Sequence, residues 1–199
     1  TIQNVLSMTF VHRSYEQLIH CLTRADFQFI LESEPSLVDP LVDLVQQMVA
    51  SVALCDFTGR VQIGVALKEV LLNAIFHGNL EIDAAEVQKV QQVLIEENDQ
   101  SLVEEHRMRP EYKDRKVYVD IHIGADEARF VVRDDGNGFD VAKVFDPKRR
   151  LAVEPEGPRG LALVRTFMDE VCFNEAGNEV TLIKRRETPQ KNTVQPVDL

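Results

Sequence analysis

The nine residues 131–139, VRDDGNGFD, decide how this chain is read. An apolar run with strand-like alternation ends there in two carboxylates, two glycines one residue apart and a phenylalanine. A surface turn asks for one glycine and one Asp. Here Gly136 and Gly138 permit backbone angles and close approaches denied to other residues. Asp134 closes the strand, placed to accept hydrogen bonds from a ligand. The plain alternative is a β-turn with Asp and Gly in their usual roles.

Around this stretch the pattern is regular. KVYVDIHI (116–123) and ARFVVRD (128–134) alternate apolar and polar residues about GADE, a hairpin signal. Downstream, DVAKVF (140–145) reads as one short helix, and DPKRRLAVEPEGPRG (146–160) as a mobile loop without periodicity. LALVRTFMDEV (161–171) is a helix, and VCFNEAGNEVTLIKRR (171–186) a last hairpin. Upstream, VLSMTFVH (5–12) and FQFILES (27–33) alternate as strands. Residues 33–55 form a helix with Asp39–Pro40, or else Ser36, at its N-cap and an apolar stripe of Leu41, Leu44, Val45, Met48 and Val52. After the break DFTGR, residues 61–78 form a second helix that Gly78 stops. Residues 81–108 are charged and helical in spacing, and 107–116 are a basic, proline-broken loop. Strands alternating with helices in this order make the fold α+β, a sheet with helices packed on it.

Composition sets limits. The 199 residues carry a formal net charge of −11, which disfavours non-specific nucleic-acid binding. No apolar run reaches the roughly 18 residues that span a bilayer, and the first ten residues do not read as a signal peptide. Cys21, Cys55 and Cys172 are scattered and odd in number, as buried thiols in a reducing cytoplasm would be. The five dispersed histidines argue against structural zinc. An anionic ligand therefore needs local positive groups or backbone amides.

Two further constellations supply these. In VALKEVLLNAIFHGN, Glu69, Asn73 and His77 recur every four residues and share one helix face, opposite an apolar stripe of Leu67, Val70, Leu71 and Ile75. A solvated polar face is the bland reading. Asn is a mediocre helix former, however, and a carboxylate one turn away suggests oxygens converging on a metal or a proton transfer. In GPRGLALV, Gly157 and Gly160 flank Arg159 before a helix. Free amides at a helix start hold anions, and an arginine adds a charge-assisted partner. Lys148, Arg149 and Arg150 precede it, as helpers or as a solvated charge run.

In chain order these are a helix with Glu-x3-Asn, a strand ending Asp-x-Gly-x-Gly-Phe, and a glycine-flanked loop opening a helix. That series resembles the GHKL superfamily of ATP-binding domains, and within it most the anti-sigma factor serine/threonine kinases, over residues 27–185. The resemblance implies a two-layer sandwich, with a mixed, mostly antiparallel sheet and helices on one face. It implies ATP and Mg2+ as ligands. Asp134 would bind the adenine amino group, and Gly136 and Gly138 would admit the backbone to the nucleotide. Asn73 would ligate magnesium, and Glu69 would orient or deprotonate the attacking hydroxyl. His77, Phe139, Arg159, Gly160 and Leu161 complete the implied nucleotide contacts, with 145–159 as an ATP lid. Residues 1–26 would be an N-terminal arm or extra strand, about 81–115 a helical insertion, and 186–199 a flexible tail.

The implied function is a cytoplasmic serine/threonine kinase that phosphorylates a STAS-type anti-sigma antagonist, with a sigma factor as a further partner and a homodimer plausible. The alternatives are a non-catalytic, ATP-dependent module that sequesters a regulator and, ranked last, a histidine-kinase catalytic domain, since no His-bearing dimerisation helix precedes it. One departure stands out. Where the family reads Gly-x-Gly this chain has Pro158-Arg159-Gly160, and proline has no N–H to offer a phosphate.

Overall fold

The computed structural model describes residues 21–83, 101–144 and 159–186. The elements are β1 (Ala25–Glu32), α1 (Val38–Ser51), α2 (Phe57–Asn73), α3 (Ser101–Arg107), β2 (Lys116–Ile123), β3 (Glu127–Asp134), α4 (Val141–Val144), α5 (Arg159–Phe167), β4 (Glu170–Phe173) and β5 (Glu179–Arg185). The expected strand at 5–12, most of the N-terminal arm, residues 84–100 of the insertion, loop 146–158 and the tail from 187 lie outside the described residues.

The strands form one sheet ordered β1-β2-β3-β5-β4. Each pairing is antiparallel among the described residues, in keeping with the mostly antiparallel sheet expected. The alternation that announced the β2–β3 hairpin sets its register: Val119 faces Val132 and Ile121 faces Phe130 across the ladder. These side chains are buried with Val117, Ile123, Val180 and Leu182 against the apolar stripes of α1 and α2. Successive strand residues point to opposite faces, and the other face is mostly polar, with Ile30, Val131 and Ile183 among its charged and amide side chains. There Gln28 donates to Asp120 at 2.7 Å, and Arg133 lies 3.9 Å over the Tyr118 ring. The result is the α+β sandwich that the pattern implied.

Lys184 follows Val180 and Leu182 on the inner face and is its charged exception, at 8% exposure. Its ammonium donates to the Phe167 carbonyl at 3.1 Å, which satisfies a carbonyl that the end of α5 leaves unpaired.

Helix boundaries differ from expectation in four places. Asp39 and Ser36 cap nothing: a 3-10 turn at Pro35–Leu37, with Glu34 accepting from the Ser36 amide at 3.4 Å, leads directly into α1. The DFTGR stretch is no break after its first residue. Asp56 is the N-cap of α2 and accepts from the Gly59 amide at 2.8 Å, so the helix begins four residues before Val61. Gly78 does not stop the second helix, which widens into a π turn over Ala74–Asn79. Finally, α5 ends at Phe167, because Glu170 and Val171 pair with β5 in β4. Within the described part of 81–108, Glu81–Asp83 has no regular secondary structure and only Ser101–Arg107 is helical.

Candidate functional site

The site grows from the end of β3. Asp134 continues the ladder through its amide, which donates to Asn178 O at 3.0 Å, and turns its carboxylate inward at 8% exposure. One oxygen accepts the Gly136 amide at 2.9 Å. Among the described residues the other has no protein donor. Burial pushes this carboxyl up to about 6, and nearby Asp135 adds to the rise. The Gly136 N–H and the charges of Arg115 and Arg133 oppose it.

Glycine is required here by contact. A Cβ on Gly78 would overlap the Asp134 carboxylate, and one on Gly136 would overlap the Gly78 carbonyl. Gly138 has a φ of +69°, in the left-handed region. The expected glycine-rich turn is therefore built around Asp134, with the π turn as its opposite wall. Phe139 leaves this wall: its ring meets Phe173 edge-on at 5.4 Å, which pins the turn to β4.

The π turn explains which predicted residues stay together. Glu69 and Asn73 share a face of α2, and the Asn73 amide donates to Glu69 Oε1 at 3.1 Å. Beyond Asn73 the helix widens into the π turn, so α-helical spacing no longer sets which side chains share that face. His77 is exposed, and its Nδ1 lies 2.8 Å from Ile82 O. A carbonyl only accepts, so Nδ1 carries the proton.

The third constellation closes on α2. A Cβ on Gly160 would overlap the Glu69 carboxylate, so the first turn of α5 lies directly on Glu69. Leu161 is half-buried beside it. Arg159 opens α5, but its side chain lies outside the described residues, as do Gly157, Pro158 and the three basic residues before them.

Asn79, Ser33 and Arg115 hold the site, yet nothing in the sequence singled them out. Asn79 is fully buried: its amide donates to Ser33 Oγ at 3.0 Å, and its oxygen accepts the Asp135 amide at 2.9 Å. Arg115, within the loop read as merely basic, donates to Asn79 O at 2.9 Å. Asn79 follows the glycine expected to stop the helix, and only the π turn over Ala74–Asn79 carries it into the interior.

The donor set fits a magnesium nucleotide. A buried carboxylate with a free oxygen, lined by glycines, suits a flat base carrying an amino donor. With its N–H committed to Glu69, Asn73 keeps its carbonyl oxygen for a hard cation. No cluster of three His, Cys, Asp or Glu occurs among the described residues, and magnesium is usually held by one or two protein oxygens plus substrate phosphates. Gly78 lies nine positions beyond Glu69 along α2 and its π turn, on the order of 13 Å at helical rise, enough to seat a base at one end and phosphates at the other.

An antiparallel sheet with helices on one face and these three pieces converging defines an ATPase-type nucleotide-binding domain. The match is direct: the profile of the Histidine kinase-like ATPase domain covers residues 31–184, and the chain belongs to that family. Such domains generally bind ATP with Mg2+. Comparison with curated proteins gives no match. Among the described residues, no helix is long and apolar enough to cross a membrane.

Proposed function

We propose that this protein is an ATP-dependent serine/threonine kinase of the anti-sigma type that phosphorylates a STAS-type antagonist in a partner-switching circuit. One observation carries the reading: Glu69 stands one turn before Asn73, hydrogen-bonded to it, and lies against the first turn of α5. A carboxylate held at the phosphate end of a nucleotide site has a use in phosphoryl transfer that it lacks in a site that only binds. Asp134 receives the adenine amino group, and Gly136 and Gly138 let the turn close tightly on Gly78 and Ala176 beside that carboxylate. Asn73 offers its oxygen to magnesium, which when bound neutralises phosphate charge. The first turn of α5 presents amides to the phosphates. Glu69 accepts the proton of a serine or threonine hydroxyl as that oxygen bonds the γ-phosphorus and the bond to the leaving ADP breaks. Positioning and charge neutralisation do most of the work in such transfers.

Incubation with labelled ATP, magnesium and STAS-type proteins is expected to label a partner serine or threonine. Glu69→Gln is expected to abolish transfer while keeping ATP affinity within a few-fold. Pro158 favours a second reading, an ATP-dependent sequestering module, because it removes an amide donor next to the phosphates. ATP binding by the wild type with no partner labelled would establish that second reading in place of the kinase.

A further inference from the structure

We infer that Arg115 is a positioning residue for the base pocket: it grips the wall made by residues 78–81 and holds it against Asp134, which makes the 101–115 segment part of the site's support. The inference rests on the reading of Asp134 as the group that takes the base.

Four consecutive residues of that wall are each held from the same side of the sequence. Arg115 Nη1 donates to Asn79 O at 2.9 Å and reaches Gly78 O at 3.5 Å. It also pairs with Glu81 Oε1 at 2.9 Å. His106, buried in α3, bonds Leu80 O through Nδ1 at 3.0 Å. Tyr112 links these two groups. Its ring stacks on His106 with planes 7° apart, carries the Arg115 guanidinium 4.8 Å from its centroid, and sends its hydroxyl to Glu81 Oε2 at 3.3 Å. Asn137, between the two glycines of the turn, donates to Glu81 Oε1 at 2.9 Å.

Glu81 has a φ of +51°, a conformation that a non-glycine residue keeps only when its surroundings over-determine it. Its three partners do so. The strain marks a point where the chain is held away from its own preference, at the end of the wall that packs against Asp134.

The other side of the same wall is the pocket. Gly78 has no room for a Cβ because Asp134 is there, and Gly136 has none because Gly78 O is there. A wall fitted this closely transmits any shift at its outer contacts to the carboxylate. Arg115 also acts by charge. The charged groups facing Asp134 are Asp135, of like sign, and Arg115 and Arg133, of opposite sign. Removing one of two cations disfavours the ionised carboxylate, the form that best accepts a base N–H.

The two effects separate in one experiment on the full chain. The Asp134 carboxyl is titrated by carbon NMR and adenosine affinity is measured, for wild type, Arg115→Gln and Arg115→Lys. Adenosine is the probe because it has no phosphate to titrate. Arg115→Gln is expected to weaken adenosine about ten-fold or more and to move the Asp134 midpoint upward. Arg115→Lys keeps the charge, so its midpoint is expected to stay near that of the wild type. An unmoved midpoint in Arg115→Gln, or an affinity within two-fold of wild type, overturns the inference. If Arg115→Gln does not fold, Glu81→Gln, which breaks the other end of the grip, is expected to weaken adenosine several-fold, and unchanged affinity there overturns it equally. A wild type that ignores adenosine, or Asp134→Asn binding it normally, would instead remove the base-site assignment and this inference with it.

Discussion

Glu69 and Gly160 touch so closely that neither residue has freedom to change. The carboxylate occupies the volume where a Cβ at position 160 would stand. Gly160→Ala must therefore push Glu69 aside or lift α5 away from α2. Misplacing a reacting group by about 1 Å costs on the order of 100-fold in rate. Phosphoryl transfer by Gly160→Ala is accordingly expected to fall by at least ten-fold, measured as label transferred to the partner. Adenosine affinity is expected to stay within two-fold, since the base pocket lies at the far end of the π turn. Equal loss of both would mean that the substitution disrupts the fold and not the geometry of one carboxylate.

At the level of elements, α2 organises the site, and both of its ends depart from simple periodicity. Its start is set by Asp56, whose side chain accepts from the Gly59 amide at 2.8 Å. Asp56→Ala is expected to cost about 1 kcal/mol of stability, read as a lower midpoint in urea with an unchanged slope. The sequence DFTGR carries Gly59 inside the first turn, and a glycine next to a polar run reads as a loop. The Asp56 cap overrides that weak propensity, and burial of Gly59 in the first turn of α2 agrees with the helical state. The other end widens into the π turn, with Leu80 N donating to Ile75 O at 2.9 Å and Ile82 N to Phe76 O at 2.8 Å. One extra residue in a turn leaves no periodic trace. The face shared by Glu69 and Asn73 was therefore legible, while the position of His77 was not. The β2–β3 hairpin was legible almost to the residue, because alternation with period two is local and its inner face is buried throughout.

For the whole molecule, Asp134 makes stability depend on pH in a direction opposite to most carboxylates. Its folded value is raised to about 6 from an ordinary value of 3.8. The protonated form is thus favoured by folding. That contribution is fully present below about pH 4 and is lost as pH rises through 6. Asp26 on the open face runs the other way: hydrogen bonds from Arg24 and His122 hold it down at about 2. Asp134→Asn removes the buried ionisation. The variant is expected to gain stability relative to wild type between pH 4 and pH 7, by on the order of 2–3 kcal/mol, seen in unfolding curves at the two pH values. A constant difference across that range would mean that the carboxylate is solvated in the folded protein.

The amino-acid sequence alone determined the alternating strands, the amphipathic helices and the three short motifs with their polar residues. All of these depend on neighbours within a turn or a strand, where local geometry dictates which side chains share a face. The tertiary structure alone decided what makes the motifs a site. Arg115 reaches Asn79 across 36 positions and Asn79 reaches Asp135 across 56, and Lys184, on the inner face with Val180 and Leu182, finds its acceptor at the end of α5. Hydrogen bonds of buried polar groups are settled by whichever partners folding brings near, and no local pattern records a partner that is distant in the chain.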